Sequence, residues 1–401
     1  MSYQLHVGRC EDVLKTLPDN SIDAIVTDPP YGLSFMNHKW DYDVPTVEQW
    51  QECLRVLKPG GHLLAFGGSR TYHRLVVNVE DAGFEIRDQI LWVYGTGFPK
   101  SHNLKDEWDG WGTALKPAHE PIVMARKPFK ATVAENMAMY GTGALNIDGC
   151  RIQTDDKLGG GNTSATVDRT GKHEGWKRPW MENTDAARAA AERSAASVAR
   201  SEELGRWPAN LIHDGCDVVV SAFPDAKGQQ GDLKETGKAR PSQGRYGDMA
   251  PPKAHKARQE EEKSAARFFY CAKVTPTERD EGMERFLPHS ASEMTGGRKE
   301  GSAGLNDPRA GAGRTNGAKN NHPTIKPIAL MKYLCRLVTP PGGTVLDPWM
   351  GSGSTGRAAL EEGFSFIGID MDPDFVTTAS ARIAFSYKKT TNDNNPLKRE
   401  A

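Results

Sequence analysis

The 401-residue chain is long enough for one large core or two moderate ones. Its apolar fraction of 37% and mean hydropathy of −0.60 lie on the polar side for a globular protein and leave some segments outside any core. Lysine and arginine (51) almost cancel aspartate and glutamate (52), so a net charge of −1 excludes global attraction to nucleic acid, and any DNA contact must come from local basic patches. No apolar run approaches the roughly 18 residues of a membrane span, and the first residues lack the layout of a secretion signal. The six cysteines are scattered without a C-x-x-C pair. A cytoplasmic protein with reduced, packed cysteines is expected, with no disulfide framework and no metal site.

A short strand is predicted over residues 4–8, then a helix over 11–17 with acids in its first turn. Pro18-Asp19-Asn20 turns the chain into 21–27, an apolar run that reads as a short buried strand. Asp28-Pro29-Pro30-Tyr31 follows at the carboxyl end of that strand, where ligands bind in open α/β sheets. Two consecutive prolines lock φ and remove two N–H donors. The outcome is a rigid cluster of acceptors beside a flat stacking surface, suited to a planar group that carries an NH2. The same four residues also fit a plain strand-ending turn with an incidental tyrosine.

Val47, Trp50, Leu54 and Leu57 recur at helical spacing and predict a helix over 46–57, ended by Lys58-Pro59-Gly60-Gly61. A buried strand over 62–66, a helix over 71–82 stopping at Gly83, and strands over 88–94 and 120–126 follow. Strands alternating with helices imply a mainly parallel sheet covered on both faces.

From about residue 130 to 320 the texture changes. Residues 159–166 are rich in Gly, Ser and Thr, while 227–256 and 295–319 are rich in Gly, Lys and Arg. An alanine-rich helical stretch over 184–200 and short apolar segments at 207–212 and 265–270 lie among them. This predicts an inserted subdomain with mobile basic loops. Lys227, Lys234, Lys238, Arg240, Arg245, Lys253, Lys256 and Arg258, with Tyr246 interleaved, read as a nucleic-acid surface; a solvated loop is the alternative.

The last segment opens on His322-Pro323-Thr324-Ile325-Lys326-Pro327. A helix over 328–338 is broken by Pro340-Pro341-Gly342-Gly343, and a strand over 344–347, a glycine turn and a helix over 355–362 come next. A strand over 364–370 ends in Asp370, a helix over 374–385 follows, and 388–401 is a frayed tail. Gly351, Gly353 and Gly356 spell G-x-G-x-x-G between strand and helix. That layout binds an adenosine: glycines permit close backbone approach and the acid takes the ribose hydroxyls. A tight turn that merely needs glycine is the alternative. Asp347-Pro348 discriminates further, because a carboxylate at that strand end repels a pyrophosphate and welcomes a cationic amino acid or sulfonium. S-adenosylmethionine carries both, so the loop points to methyl transfer rather than to hydride transfer with NAD.

Leu346-Asp347-Pro348-Trp349-Met350-Gly351-Ser352-Gly353, Asp28-Pro29-Pro30-Tyr31 and His322-Pro323-Thr324-Ile325-Lys326-Pro327 together closely resemble the amino-methylating DNA methyltransferases. The order of catalytic motif, variable region and cofactor motif is that of the family's beta class. The resemblance covers residues 1–130 and 320–385; the middle matches the family's target-recognition region by position only. Trp349 stands where the family often has Phe. The resemblance implies an α/β, Rossmann-like S-adenosylmethionine-dependent methyltransferase sheet with circularly permuted motif order. Residues 1–130 would form the catalytic half, 131–320 the target-recognition insertion, 321–387 the cofactor-binding half and 388–401 the tail, both halves completing one sheet.

The resemblance also implies S-adenosylmethionine as cofactor and double-stranded DNA as partner. Its catalytic residues would be Asp28, Pro29, Pro30 and Tyr31. Asp28 and the Pro29 carbonyl would accept the two N–H bonds of an exocyclic amine, and Tyr31 would stack on a base rotated out of the duplex. Asp347, Pro348, Trp349, Gly351, Ser352, Gly353 and Asp370 would bind the cofactor. Phe66, Thr324 and Lys326 would line its pocket, a simple surface lysine being the alternative at Lys326. In the family an Asp before Pro-Pro-Tyr goes mostly with adenine N6 and a Ser mostly with cytosine N4. Adenine is therefore favoured, with cytosine N4 as the alternative. An NAD-dependent oxidoreductase leaves Asp28-Pro29-Pro30-Tyr31 unexplained, RNA and protein-amide methyltransferases commonly place the cofactor motif first, and a non-catalytic DNA-binding protein is a third rival. A homodimer is compatible with this reading, which names no restriction partner.

Overall fold

The computed structural model describes residues 1–33, 41–95, 97, 101–154, 184–226, 264–272, 276–289, 319–320, 322 and 325–393. The expected basic surface at 227–258 and the glycine-rich stretch at 159–166 lie outside them, as does Thr324. The chain forms two compact units. One comprises Met1–Cys150, Asn210–Val219 and Cys271–Ala401, and the other Arg151–Ala209 and Val220–Tyr270. The second unit falls within the insertion expected at 131–320, while 131–150, 210–219 and 271–320 group with the first.

In chain order the elements are β1 (Tyr3–Val7), α1 (Cys10–Leu14), β2 (Ile22–Thr27), α2 (Val47–Val56), β3 (Leu57–Phe66), α3 (Tyr72–Asp81), β4 (Glu85–Val93), β5 (His119–Arg126) and α4 (Val133–Tyr140). They continue as α5 (Thr184–Leu204) in the second unit, then β6 (Leu211–His213), α6 (Asp217–Val220), β7 (Tyr270–Cys271), α7 (Ile328–Val338), β8 (Thr344–Asp347), α8 (Ser354–Glu361), β9 (Ser365–Asp370) and α9 (Pro373–Asp393). The strand order is β1-β9-β8-β2-β3-β5-β4-β6-β7. The two ends of the chain therefore complete one sheet: β1 pairs in parallel with β9, from Tyr3 opposite Phe366 to Val7 opposite Asp370.

From β1 to β3 all pairs are parallel, as the alternation of elements predicts. β5 departs from that pattern, running antiparallel to both β3 and β4. A parallel return needs a long crossover, usually a helix. The described part of the 94–118 connection holds only the 3-10 turn Asp106–Trp108.

Two local expectations are corrected. Lys58-Pro59-Gly60-Gly61 does not separate helix from strand, since α2 runs directly into β3. Gly60 takes φ +79° and the register against β2 shifts there, so the glycines bend the strand instead of ending it. At the C-terminus, α9 continues to Asp393, past the boundary drawn at 388. Tyr387 packs edge-on against Tyr3 of β1 with ring centroids 5.5 Å apart, which anchors this turn.

One face of the sheet is covered by α2 and α3, whose Trp50, Val56, Leu75 and Val79 bury against Ile25, Leu63 and Val123. A capping box sets the start of α2: the Thr46 hydroxyl accepts from the Gln49 N–H, and the Gln49 side chain accepts from the Thr46 N–H at 3.0 Å. α7 has eight buried residues from Ile328 to Val338, too many for a helix with a solvent face of ordinary width. Among the described residues no helix is long and apolar enough to cross a membrane.

Candidate active site

Pairing of β2 with β8 (Ala24 opposite Val345, Ile25 opposite Leu346) sets the carboxyl ends of these two strands side by side. Asp28-Pro29-Pro30-Tyr31 and Asp347-Pro348 thus leave the sheet as neighbours, and the Thr27 hydroxyl donates to Asp347 Oδ1 at 2.6 Å. A cavity of about 860 Å³ opens there, lined from 8–11 after β1, 28–31 after β2, 347–352 after β8 and 370–372 after β9. Parallel strands deliver all four segments to one edge.

The start of the loop after β2, residues 31–33, is tied down by hydrogen bonds. Asp41 receives the backbone N–H of Tyr31 (2.6 Å), Gly32 (3.0 Å) and Leu33 (3.2 Å), and Gly32 takes φ +66° to aim its N–H at that carboxylate. The Thr71 hydroxyl donates to the Tyr31 carbonyl at 2.6 Å. Tyr31 is thereby fixed from both sides.

At the inner end of the cavity four side chains form one polar cluster. Lys326 is buried, and its Nζ donates to Asp28 Oδ2 at 2.5 Å and lies 3.2 Å from Glu120 Oε2. The Tyr31 hydroxyl is 2.8 Å from Asp28 Oδ1 and 3.1 Å from Glu120 Oε2. The ammonium also sits 4.9 Å from the Phe66 ring centroid and 5.6 Å from that of Tyr31. Burial opposes the charge on Lys326, but Asp28 and Glu120 outweigh it and hold the ammonium above its ordinary range. Burial and the same two carboxylates push the Tyr31 phenol well above its usual pKa. The cluster therefore contains a permanent cation and a neutral phenol at any physiological pH.

The glycines of the loop after β8 do different jobs. Gly351 has φ +49°, and a Cβ there would lie 2.5 Å from His322 Nε2, within the cavity lining. Its N–H donates to Asp370 Oδ2 at 2.9 Å. Gly353 has φ +77° and opens α8; a Cβ would meet Ala379 and Ile383 of α9 at 2.9 and 3.0 Å. Gly356 packs the same helix against Ile383 and Phe366. Behind the loop, fully buried Arg382 donates to the Ser352 carbonyl (2.5 Å) and hydroxyl (3.0 Å).

Most of the expected site residues come together in space. Asp28, Pro29, Pro30, Tyr31, Lys326, Asp347, Pro348, Trp349, Gly351, Ser352 and Asp370 all line the one cavity. Two do not. Gly353 faces α9, because the left-handed turn carries it to the back of the loop. Phe66 is fully buried beneath Lys326, since its position in a central strand turns it into the core. Lys326 is not a surface lysine, and Asp347 is tied to the Thr27 and Thr355 hydroxyls at 2.6 Å each. Sequence reasoning missed Glu120, Asp41, His322 and the 8–11 segment. Glu120 follows a histidine near the start of a predicted strand, but only the antiparallel course of β5 reveals that this end faces the cavity.

The lining suits a cationic, nucleoside-bearing group. Among the described residues, eight acidic side chains, Asp28, Asp347 and Asp370 among them, line the cavity beside two strongly basic ones, Arg9 and Lys326. Such a field attracts a sulfonium and an ammonium and repels phosphates. Asp370 stands at the end of β9 with both oxygens fixed by the N–H groups of Gly351 and Asp372, each at 2.9 Å, which leaves lone pairs for ribose hydroxyls. Among the described residues no group of three His, Cys, Asp or Glu side chains has the arrangement of a metal site.

A family model for N6/N4 methyltransferases, described as DNA methylase, matches residues 22–381. Type II methyltransferase M.HindIII of Haemophilus influenzae is 29% identical over 189 residues, 33% of this chain and 61% of that protein. Type II methyltransferase M.HpaI of Haemophilus parainfluenzae is 31% identical over 141 residues, 33% of this chain and 41% of that protein. The chain thus spans 61% and 41% of the lengths of these two relatives. Among solved structures, the M1.HpyAVI-SAM complex is similar at TM-score 0.39 and 15% identity, over 95% of this chain and 99% of that one. The cytosine-N4-specific PvuII DNA methyltransferase is similar at TM-score 0.41 and 13% identity, over 98% and 93%. The family match takes in both the early and the late segments that meet at the cavity, and on it this chain belongs to the N6/N4 DNA methylase family.

Proposed function

We propose that this protein is an S-adenosylmethionine-dependent DNA methyltransferase that modifies the N6 amine of an adenine rotated out of a duplex. The observation that carries the reading is the single cavity shared by Asp28-Pro29-Pro30-Tyr31 and the Gly351 loop. The choice of adenine rests on an Asp, rather than a Ser, ahead of Pro-Pro-Tyr. The second compact unit, with the 131–320 segment that contains it, is proposed as the target-recognition region.

Bound cofactor supplies an electrophilic methyl group on a sulfonium, whose sulfur keeps the electron pair of the broken bond. Gly351, Asp370 and the acidic lining would hold that group. The exocyclic amine is a poor nucleophile because its lone pair is delocalised into the ring. Asp28 and the Pro29 carbonyl accept its two N–H bonds and favour a tetrahedral nitrogen with a localised lone pair. Tyr31 stacks on the base. Positioning supplies most of the rate, and the proton leaves readily once the nitrogen is cationic. Asp28 is already engaged by Tyr31 and Lys326. Glu120, within reach of both donors, takes over the Tyr31 hydroxyl when the amine claims Asp28 Oδ1.

Mapping of modified bases in DNA from cells expressing the protein is expected to find N6-methyladenine at one defined sequence. 4-Methylcytosine in its place would transfer the reading to cytosine. No modification of either kind would remove the proposed activity.

Burial pushes the Asp347 carboxyl up to about 7. A bound cation favours the ionised form, so binding expels a proton from molecules in which Asp347 is still protonated. Cofactor affinity is therefore expected to rise with pH up to that value and then level off. Titration calorimetry between about pH 6 and 8 checks the sign, and Asp347→Asn should flatten the profile.

A further inference from the structure

The catalytic cavity is acidic, whereas a DNA strand that delivers a base into it must leave its phosphates at the rim. Just beyond Tyr31 the rim changes sign. A second cavity of about 310 Å³ lies there, lined by Gly32, Leu33, Arg70, Thr71, His73 and Arg74. Arg70, His73 and Arg74 are exposed, and among the described residues neither arginine has a carboxylate partner. No acid occupies the first turn of α3, where one would ordinarily stand. Three basic side chains thus line one cavity, with no ion pair to either arginine among the described residues.

This patch is physically joined to the catalytic loop. Thr71, between Arg70 and the helix, donates to the Tyr31 carbonyl at 2.6 Å. Gly68 lets the turn approach so closely that a Cβ there would meet Tyr31 at 3.1 Å and Leu33 at 3.2 Å. Anything held by Arg70 and Arg74 is therefore held in fixed register with Tyr31.

We propose that Arg70, His73 and Arg74 form a phosphate clamp for the strand that carries the target base, gripping the phosphodiesters that flank the extruded nucleotide. The proposal rests on the duplex-DNA reading above and adds where the backbone docks. The arginines fork onto phosphate oxygens, and His73 adds a donor.

The test is duplex binding by the full chain over a range of salt concentrations. Arg70→Ala/Arg74→Ala is expected to lower the slope of log K against log salt by about 2 and to weaken binding about tenfold to a hundredfold near 0.1 M salt. Cofactor affinity should stay within about twofold, which reports an intact fold. On a duplex bearing the mapped site, neutral methylphosphonates at the two phosphates flanking the target should weaken the wild type by a similar factor and the double variant hardly at all. An unchanged slope in the double variant overturns the clamp, as does full additivity of the two changes. Arg87→Ala on β4 serves as control, and an equal loss there also overturns it, since any surface arginine would then suffice. If the wild type neither binds nor methylates duplex DNA, the fault lies with the functional reading itself.

Discussion

Replacing Asp28 with alanine is expected to lower single-turnover methyl transfer by at least about 10²–10³-fold, the loss typical of removing one preorganised group aimed at developing charge. Cofactor affinity should change by less than about threefold, because in the proposed mechanism the interaction removed is made with the reacting amine. Removal of Asp28 is expected to leave the protein folded. Lys326 would be left as a buried cation, and an unpaired one costs about 3–5 kcal/mol. Glu120 Oε2 lies 3.2 Å from the same ammonium and remains as its partner. The Tyr31 hydroxyl likewise keeps Glu120 as an acceptor at 3.1 Å. Asp28→Asn is expected to fail almost as badly, since the amide offers one oxygen to two donors and turns its NH2 toward either Lys326 or the Tyr31 hydroxyl, leaving no free acceptor for the amine. Rapid-quench assays with labelled methyl donor, beside calorimetric cofactor titration, separate the two effects. Full transfer in the alanine variant removes the role assigned to Asp28. Loss of cofactor binding with an intact fold would instead make Asp28 part of the cofactor site.

The framework around Asp28 was legible because local signals wrote it. Apolar runs ended by proline or glycine mark β2 and β8, and the spacing of Trp50 and Leu54 marks α2. The meeting of the chain ends followed from motif order, and β1 does lie beside β9. What escaped is what only tertiary contact defines. Asp41 reads as one acid among several in a polar turn, yet three backbone N–H groups converge on it. Nothing in the helix predicted over 374–385 singles out Arg382, yet it is fully buried and pins Ser352 from behind. Glycine periodicity identified the loop but not which glycine lines the cavity. Gly351 faces the cavity, while Gly353 and Gly356 serve the packing of α8. Phe66 lies outside the lining for a related reason: a strand residue's side follows from its register, which its neighbours β2 and β5 set.

The second large effect concerns Glu120. As the protein stands, both oxygens of Asp28 are taken: Oδ1 by the Tyr31 hydroxyl at 2.8 Å and Oδ2 by Lys326. On the proposed mechanism the target amine must displace the phenol, and a phenol has one proton to place. Glu120 Oε2 is the alternative acceptor, and a small rotation of the hydroxyl hydrogen suffices to reach it. Glu120→Ala removes that alternative, so amine and phenol compete for one oxygen. A hydrogen bond to a charged acceptor contributes about 1.5–3 kcal/mol, which predicts a loss of about tenfold to a hundredfold in the transfer step. The cost should depend on the competing hydroxyl. Tyr31→Phe keeps the stacking ring and removes the competitor, so in that background Glu120→Ala is expected to cost only a few-fold, the remainder reflecting Lys326. The four rates of this double-mutant cycle, measured under single turnover with saturating cofactor, decide the matter. Equal losses in the two backgrounds would mean that Glu120 acts through Lys326 alone and that no exchange at the Tyr31 hydroxyl occurs.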